Sequence, residues 1–223
     1  MDSNHINSTT NALQARDLSC CYGQFQAVKR TDIILRSGEV TALTGPNGAG
    51  KTTLLLCLSG LIKPTTGEVL VDGYHLYRDE VEAKRRLALV PDVPTFYQEL
   101  TAWEHLQFIA LAYGLGDEFE KRAEELLHEF DLWEARYLLP HAFSRGMRLK
   151  LGIILALIRP FQVLLLDEPT SALDLESTKI LRGKLTQLRD EGKAILLSTH
   201  DAALAYVLSD NVWRMKFGQL DVT

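Results

Sequence analysis

Residues 45–53 read Gly45-Pro46-Asn47-Gly48-Ala49-Gly50-Lys51-Thr52-Thr53, and the interpretation of the chain starts from this stretch. It satisfies the pattern G-x-x-x-x-G-K-[ST], in which glycines let backbone N–H groups turn inward around an anion. Lys51 can reach the β- and γ-phosphates of a nucleotide, and the Thr52 hydroxyl can ligate Mg²⁺. A strand pattern, Glu39–Thr44, precedes the loop, and an apolar run, Thr52–Ser59, predicts a helix whose N-terminus favours phosphate. We therefore expect all nine loop residues to contact a phosphate ligand.

Two questions stay open on the loop alone. A Gly-rich turn can join a strand to a helix and bind nothing, although the complete motif with its Lys-Thr pair disfavours that interpretation. The loop also does not say which kind of phosphoryl-transfer protein contains it.

The composition predicts a globular protein without a charge bias. Hydrophobic residues make up 46% and charged residues 24% of the 223 positions, which is ordinary for such a chain. The net charge of −5 gives no general attraction to nucleic acid or anionic lipid. Cys20, Cys21 and Cys57 form neither a disulfide framework nor a metal-ligand spacing, so a reducing compartment is expected.

The hydropathy of the chain bears on two questions, whether the N-terminus is a secretory signal and whether any segment can span a membrane. Residues 1–11 are polar and lack the basic start and apolar stretch of a secretory signal, so we expect a disordered tail. The longest apolar stretches, Leu151–Ile158 and Val163–Leu166, are far below the roughly 20 residues that span a bilayer. A membrane role would therefore come through a partner.

Strand and helix patterns predict an α/β domain over residues 12–223. Early strands follow each other with short turns, as in an antiparallel sheet, and later ones alternate with helices, as in a parallel sheet. Between about residues 95 and 159 only helical patterns occur, which predicts an inserted helical subdomain. The strand patterns are Leu13–Leu18, Ala27–Leu35, Val40–Leu43, Glu68–Val71, Leu87–Val90, Val163–Leu166, Ala194–Ser198 and Asn211–Met215, and the inserted helices are Trp103–Tyr113, Asp117–Phe130 and Arg145–Ile158.

A second motif, Asp167-Glu168-Pro169, ends the apolar run that starts at Val163. A continuous apolar run is typical of a central parallel strand buried on both faces, and ligands bind at the carboxyl end of such strands. There Asp167 would hold the Mg²⁺ shell and Glu168 would polarise an attacking water as general base. The alternative is a strand that ends in two solvated acids before a turn.

His200 is a third candidate, because it directly follows a second apolar strand pattern, Ala194–Leu197. A neutral imidazole there could contact a γ-phosphate and the water near Glu168, so we count His200 with Lys51 and Glu168 as catalytic. A lone histidine is more often structural. The other five are interpreted that way: His5, His75, His105, His128 and His141.

Ser144 and Gly146 open a helix that precedes the Asp167 motif. Ser144 is a natural N-cap, and the small Gly146 lets first-turn amides approach an anion closely. One nucleotide can hardly use this helix end and the phosphate loop of the same chain if the helical insertion separates them. A head-to-tail dimer resolves the problem, because each loop would bind ATP and the second subunit's helix would cover the γ-phosphate.

The ordered motifs resemble those of the ABC-type ATPases over about residues 12–220. The resemblance implies an α/β P-loop core with an antiparallel β subdomain and a helical subdomain, and a homodimer or heterodimer that sandwiches ATP with Mg²⁺. It also implies a transmembrane permease as partner and a cytoplasmic position on the inner face of the cell membrane. Tyr22 matches the aromatic residue on which adenine stacks in the family, and its alternative is a packed strand tyrosine.

The chain departs from the family pattern in two motifs. The signature usually reads Leu-Ser-Gly-Gly-Gln, and here it is Phe143-Ser144-Arg145-Gly146-Met147. This variant resembles bacterial exporter subunits that work with separate membrane proteins. Asp92 stands where the family usually has a glutamine that touches Mg²⁺. Our hypothesis is that Asp92 binds Mg²⁺ through water, and the alternative is a turn acid between Pro91 and Pro94.

The resemblance predicts an ATPase subunit that powers translocation, and the signature variant favours export. The alternative is a soluble ABC-type ATPase acting on nucleic acid or the ribosome, although the chain has no sustained heptads and no basic stripe. A regulatory module with an inert site is disfavoured by the complete set of candidate catalytic residues. Substrate contacts would lie in another polypeptide. The stretch Val93–Leu106 is either a docking surface for it or packing between the subdomains.

Overall fold

The computed structural model describes residues 11–116 and 118–222, and its strands form two separate sheets. In chain order the strands are β1 (Asn11–Tyr22), β2 (Phe25–Arg36), β3 (Val40–Thr44), β4 (Thr66–Val71), β5 (Tyr74–His75), β6 (Leu87–Val90), β7 (Val163–Asp167), β8 (Ala194–Thr199), β9 (Asn211–Lys216) and β10 (Gln219–Val222). The smaller sheet is antiparallel, with the order β2-β1-β4-β5. The larger has the order β10-β9-β3-β8-β7-β6.

The larger sheet is parallel except at one edge. Strand β3 pairs in parallel with β8 and β9, and β7 pairs in parallel with β6 and β8, whereas β10 runs antiparallel to β9. The carboxyl ends of β3, β7 and β8 therefore meet at one edge, where the three sequence motifs follow them. This architecture confirms the predicted fold class.

The helices of the described ranges are α1 (Lys51–Ser59), α2 (Glu80–Arg85), α3 (Ala102–Tyr113), α4 (Phe119–Glu129), α5 (Arg145–Leu157), α6 (Leu175–Asp190) and α7 (Ala202–Leu208). Helices α3, α4 and α5 follow one another between β6 and β7, and no described residue there is in a strand. Thr101 caps α3 in a capping box with Glu104, which fixes where the first of these helices begins. The inserted helical patterns are thus confirmed, except that Asp117, the predicted start of the second helix, lies outside the described residues.

The continuous apolar runs are explained by burial on both faces of the larger sheet. In β7, Leu164 and Leu166 belong to the core shared with the inserted helices, and Val163 and Leu165 belong to the core shared with α1 and the smaller sheet. Strand β8 alternates in the same way. A strand between two cores needs apolar residues at every position, which is the reason that it lacks a polar alternation.

Some elements escaped the sequence patterns. Strands β5 and β10 and helix α2 were not predicted, and helices α6 and α7 were expected between the later strands only without bounds. Strand β1 begins at Asn11, the last residue of the expected tail, and the rest of that tail lies outside the described residues. No helix in the described ranges is long and apolar enough to cross a membrane.

Candidate functional site

The phosphate loop connects β3 to α1 and is wedged between two strands. Gly50 has a φ of 107°, and a Cβ there would collide with the Ala27 carbonyl oxygen on β2. A Cβ on Gly45 would collide with the Met215 carbonyl oxygen on β9. Glycine is therefore required at both positions by space as well as by backbone conformation. The helix starts at Lys51, one residue before its predicted start.

Lys51 is buried at the first position of α1. Its Nζ donates a hydrogen bond to the Gly45 carbonyl oxygen at 2.8 Å and lies 3.4 Å from Glu168 Oε1. The ammonium is thus held against the loop by a carbonyl and a carboxylate. Both are oxygen acceptors, the chemistry that a nucleotide phosphate also presents to a lysine.

Asp167 is the last residue of β7 and Glu168 follows it, and Ser198 on the neighbouring strand contacts both. Asp167 is 4% exposed, and Ser198 Oγ donates to its Oδ1 at 2.5 Å. The same hydroxyl accepts from the Glu168 backbone N–H at 3.0 Å. Glu168 has a φ of 46°, a conformation that non-glycine residues rarely adopt. Sequence reasoning missed Ser198, although a polar residue at the carboxyl end of an apolar strand was a usable signal.

His200 lies beside the Glu168 carboxylate, as the sequence suggested. Its Nδ1 is 2.9 Å from Glu168 Oε2, and its backbone N–H also points to that oxygen at 3.4 Å. Glu168 therefore has Lys51 at one carboxylate oxygen and His200 at the other. The structure brings all three predicted catalytic residues into one contact network, with Asp167 tied to it through Ser198.

A cavity of about 480 Å³ opens over this network and lies within the usual range for small-ligand sites. Most of the predicted nucleotide-binding residues line it: Tyr22, Asn47, Gly48, Ala49, Gly50, Lys51, Thr52, Thr53, Asp92, Asp167 and Glu168. Gly45 and Pro46 lie behind Lys51, which reaches their carbonyl oxygens. Phe25 also lines the cavity and is exposed like Tyr22, so it is a second aromatic residue that sequence reasoning missed.

The donors for a metal ion are few but of the right kind for Mg²⁺. No group of three or more His, Cys, Asp or Glu side chains in the described ranges could hold a metal by itself. Mg²⁺ keeps several waters and is usually bound through one or two carboxylates plus substrate phosphates. Asp167, Thr52 and Asp92 all face the same cavity, so the donor set fits that mode of binding.

Asp92 has partners within the chain. Its Oδ1 accepts from Arg145 Nη2 at 2.9 Å and from Ser171 Oγ at 2.7 Å. Arg145 is the first residue of α5, and Ser171 lies in the turn after β7. Asp92 is therefore more than a turn acid, since it joins the helical insertion to the α/β core.

Ser144 and Gly146 do not line the cavity of their own chain. Ser144 is exposed and caps α5 by accepting from the Met147 N–H at 3.2 Å. A Cβ on Gly146 would lie 2.7 Å from the Ala172 carbonyl oxygen, so this turn of the helix is pressed against the loop after β7. The structure thus leaves both residues out of the lining of the cavity that the phosphate loop forms in the same chain.

A second contact fixes α5 on the same loop. The buried Lys150 Nζ lies 3.3 Å from Asp174 Oδ2. Asp174 is the N-cap of α6 and accepts from the Ser177 N–H at 2.7 Å. The hydrogen bonds from Ser177, followed by the contact with the Lys150 ammonium, lower the pKa of Asp174 to about 2. Asp174 therefore fixes the start of α6 as well as the position of α5.

The aromatic stretch between 93 and 106 divides between the two interpretations. Trp103 packs inside the helical insertion, with ring centroids 6.1 Å from Phe119 and 6.3 Å from Trp133. Phe96 instead lines a groove between the insertion and the α/β core, and Tyr97, which is 57% exposed, lines its extension. One aromatic residue is therefore internal packing, and two face an open groove.

Comparison with known proteins identifies the family. The family described as ABC transporter matches residues 28–171. The SkfA peptide export ATP-binding protein SkfE of Bacillus subtilis (strain 168) is 35% identical over 209 residues, which cover 93% of this chain and 87% of that protein. The ABC transporter ATP-binding protein NatA of the same organism is 35% identical over 212 residues, covering 91% of this chain and 86% of that protein.

A solved structure agrees with these relatives. An ATP-binding subunit of an ABC transporter superimposes with a TM-score of 0.88 and 34% identity, covering 96% of this chain and 90% of that chain. The family match, the relatives and the fold all agree with the site, in which the phosphate loop, Asp167 and Glu168 lie around one cavity. The chain belongs to the ABC transporter family, as an ATP-binding subunit that hydrolyses ATP.

Proposed function

We propose that two such subunits enclose ATP and Mg²⁺ head to tail and that hydrolysis drives export of a substrate through a transmembrane permease. The observation that carries the proposal is the placement of Glu168 between Lys51 and His200, within 3.4 Å and 2.9 Å of them. A general base needs a fixed carboxylate next to the phosphate-binding group, and this arrangement supplies it. We treat residues 12–223 as one ATPase domain with a helical subdomain at about 95–159.

The roles of the binding residues follow from their positions around the cavity. Loop amides and Lys51 bind the β- and γ-phosphates, and Tyr22 stacks on the adenine with Phe25 beside it. Thr52 and Asp167 would hold Mg²⁺, and Asp92 would contact it through water. When bound, the ion neutralises charge that develops on the phosphates.

The hydrolysis step uses the carboxylate network. Glu168 orients a water and accepts its proton as the oxygen attacks the γ-phosphorus, and the bond from phosphorus to the β–γ bridging oxygen breaks. The products are ADP and inorganic phosphate. His200 contacts the γ-phosphate and, through its 2.9 Å contact, holds the Glu168 carboxylate in place. The Ser198 hydroxyl holds the Asp167 carboxylate and the Glu168 backbone in place through one hydrogen bond to each.

The second subunit completes the site. Ser144 and Gly146 lie at an exposed helix N-terminus outside the cavity of their own chain, so they are free to meet the γ-phosphate bound by another subunit. A homodimer satisfies this requirement with one gene product, and a heterodimer with a similar subunit would satisfy it equally.

The permease docks in the groove between the helical insertion and the α/β core. The groove has a volume of about 450 Å³ and continues into a second cavity that shares Phe96, Ile109 and Leu155. Tyr97 and Phe108 at its rim are 57% and 46% exposed, which is typical of interface aromatics. This partner places the subunit on the cytoplasmic face of the membrane. Export as the direction is supported by the peptide-export relative and by the signature variant.

Two experiments test the proposal. Glu168→Gln keeps the shape of the side chain but removes its basicity, so it should bind ATP, accumulate as an ATP-bound dimer on size-exclusion chromatography and lose hydrolysis. Hydrolysis at the wild-type rate would show that Glu168 is not the base. For the partner, the tagged chain should copurify with a polytopic membrane protein in mild detergent. Recovery without one would contradict the transporter assignment.

A further inference from the structure

The contact between Asp92 and Arg145 joins the two motifs in which this chain departs from its family. Arg145 Nη2 donates to Asp92 Oδ1 at 2.9 Å and to Ser171 Oγ at 3.2 Å, and Ser171 Oγ donates to the same Asp92 oxygen at 2.7 Å. The three side chains come from the start of α5, the turn after β6 and the turn after β7. They form a closed triangle across the junction of the helical insertion with the core.

The charges around the nucleotide cavity explain why Asp92 needs a cation. The cavity is lined by one lysine, Lys51, and by three carboxylates, Asp92, Asp167 and Glu168. Lys51 contacts Glu168, and Asp167 accepts a hydrogen bond from the neutral Ser198 hydroxyl. A glutamine at position 92 would carry no charge, whereas an aspartate adds a negative charge beside a site for a polyanion. Like charges that line one cavity repel each other unless a counter-charge is close.

The fold holds Arg145 where it can supply that counter-charge. Gly146 is pressed against the Ala172 carbonyl oxygen, and Lys150, one turn further along α5, pairs with Asp174 at 3.3 Å. These contacts fix the start of α5 against the turn after β7, beside Asp92. Arg145 is itself 57% exposed, so the pair contributes little to stability, and its effect is on the electrostatics of the cavity.

We propose that Arg145 is a positioning residue that acts within its own subunit. It neutralises Asp92 and, with Ser171, holds that carboxylate at the cavity wall, which allows an acid to stand where the family uses an amide. The inference rests on the proposed ATP site. It makes Arg145 and Asp92 an interdependent pair, so that the loss of the arginine is harmful only while the aspartate is present.

The test is a double-mutant cycle on the KM for MgATP, with Arg145→Ala, Asp92→Gln and the double variant measured against the wild type. Arg145→Ala should raise KM about three- to tenfold, because it leaves the Asp92 charge uncompensated beside the phosphates, and the effect should shrink at high ionic strength. Asp92→Gln combined with Arg145→Ala should restore KM to within about twofold of the wild type. Arg145→Lys should stay near wild type. Arg148→Ala is the matched control, since it removes an exposed cation from the next turn of the same helix.

Three other results would reject the pairing of Arg145 with Asp92. If the double variant stays as impaired as Arg145→Ala, the guanidinium acts elsewhere, for example on the nucleotide of a second subunit, and the pairing is rejected. A KM increase of the same size for Arg148→Ala, or one that salt does not change, also rejects it. Circular dichroism identifies a variant that fails to fold, and Arg145→Lys then still tests the charge. Failure of the proposed function would look different, as hydrolysis that survives in Glu168→Gln.

Discussion

Ser198 is the residue whose removal should most directly show how the position of the catalytic carboxylates affects the rate of hydrolysis. Its hydroxyl is fully buried, donates to Asp167 Oδ1 at 2.5 Å and accepts from the Glu168 N–H at 3.0 Å. Ser198→Ala removes both contacts and leaves the phosphate loop untouched. We therefore expect a loss in kcat with a much smaller change in the KM for ATP.

The magnitude follows from the two hydrogen bonds. A bond to a charged group contributes about 1.5–3 kcal/mol, and a buried N–H left without an acceptor costs about 1–3 kcal/mol, so about 3 kcal/mol is at stake. At about 2–4 °C per kcal/mol for a domain of this size, the unfolding midpoint should fall by about 6–12 °C. If about half of the energy acts through the position of Glu168 in the transition state, kcat falls about tenfold.

The assay is steady-state phosphate release at a temperature at which each variant is folded by circular dichroism. Leu196→Ala is the matched control, because Leu196 is buried two positions earlier in β8, outside the catalytic network. It should lose about 2–5 kcal/mol of stability with kcat unchanged for the folded protein. Ser198→Thr keeps the hydroxyl and should keep most of kcat. A kcat within twofold of wild type for Ser198→Ala would refute the positioning role.

Two further predictions concern the loop and the α6 cap. Gly50→Ala should destabilise the protein by about 1–3 kcal/mol, because the new Cβ collides with the Ala27 carbonyl oxygen at a φ of 107°; a denaturation midpoint equal to wild type would contradict the close approach. Asp174 has a pKa of about 2, below its ordinary value of 3.8, so its stabilising effect is complete above about pH 4 and is lost as the pH falls through 2. The fall in unfolding free energy from pH 4 to pH 2 should therefore be shallower in Asp174→Asn, and an equal slope would contradict it.

The sequence predicted those parts of the fold that depend on local patterns. The strands of the larger sheet were visible because two cores require apolar residues at consecutive positions, as in Val163–Leu166. The phosphate loop was visible because its chemistry lies within nine neighbouring residues. Strand β5, by contrast, has two residues, Tyr74 and His75, which is too short for any periodicity. Helix α6 buries only a narrow apolar stripe, so its pattern is weak.

The parts of the site that escaped prediction depend on pairing between distant segments. Ser198 reaches Asp167 because β7 and β8 are neighbours in register, with the two residues directly opposite each other. That register is a property of the assembled sheet, and neither strand carries a local signal for it. Phe25 similarly reaches the cavity only because the turn after β1 brings it back beside Tyr22.

The same reasoning explains why the two departures from the family pattern should be judged together. Taken singly, Asp92 adds a negative charge to a phosphate site, and Arg145 replaces a small residue in an anion-binding motif, so each looks like a loss. The fold places the two side chains 2.9 Å apart, although 53 positions separate them in the chain. Their charges then cancel locally, and the carboxylate that remains can still provide an oxygen ligand. If the motifs are compared one position at a time, Asp92 and Arg145 count as two separate defects. The geometry instead indicates that the positive charge of Arg145 compensates the negative charge of Asp92.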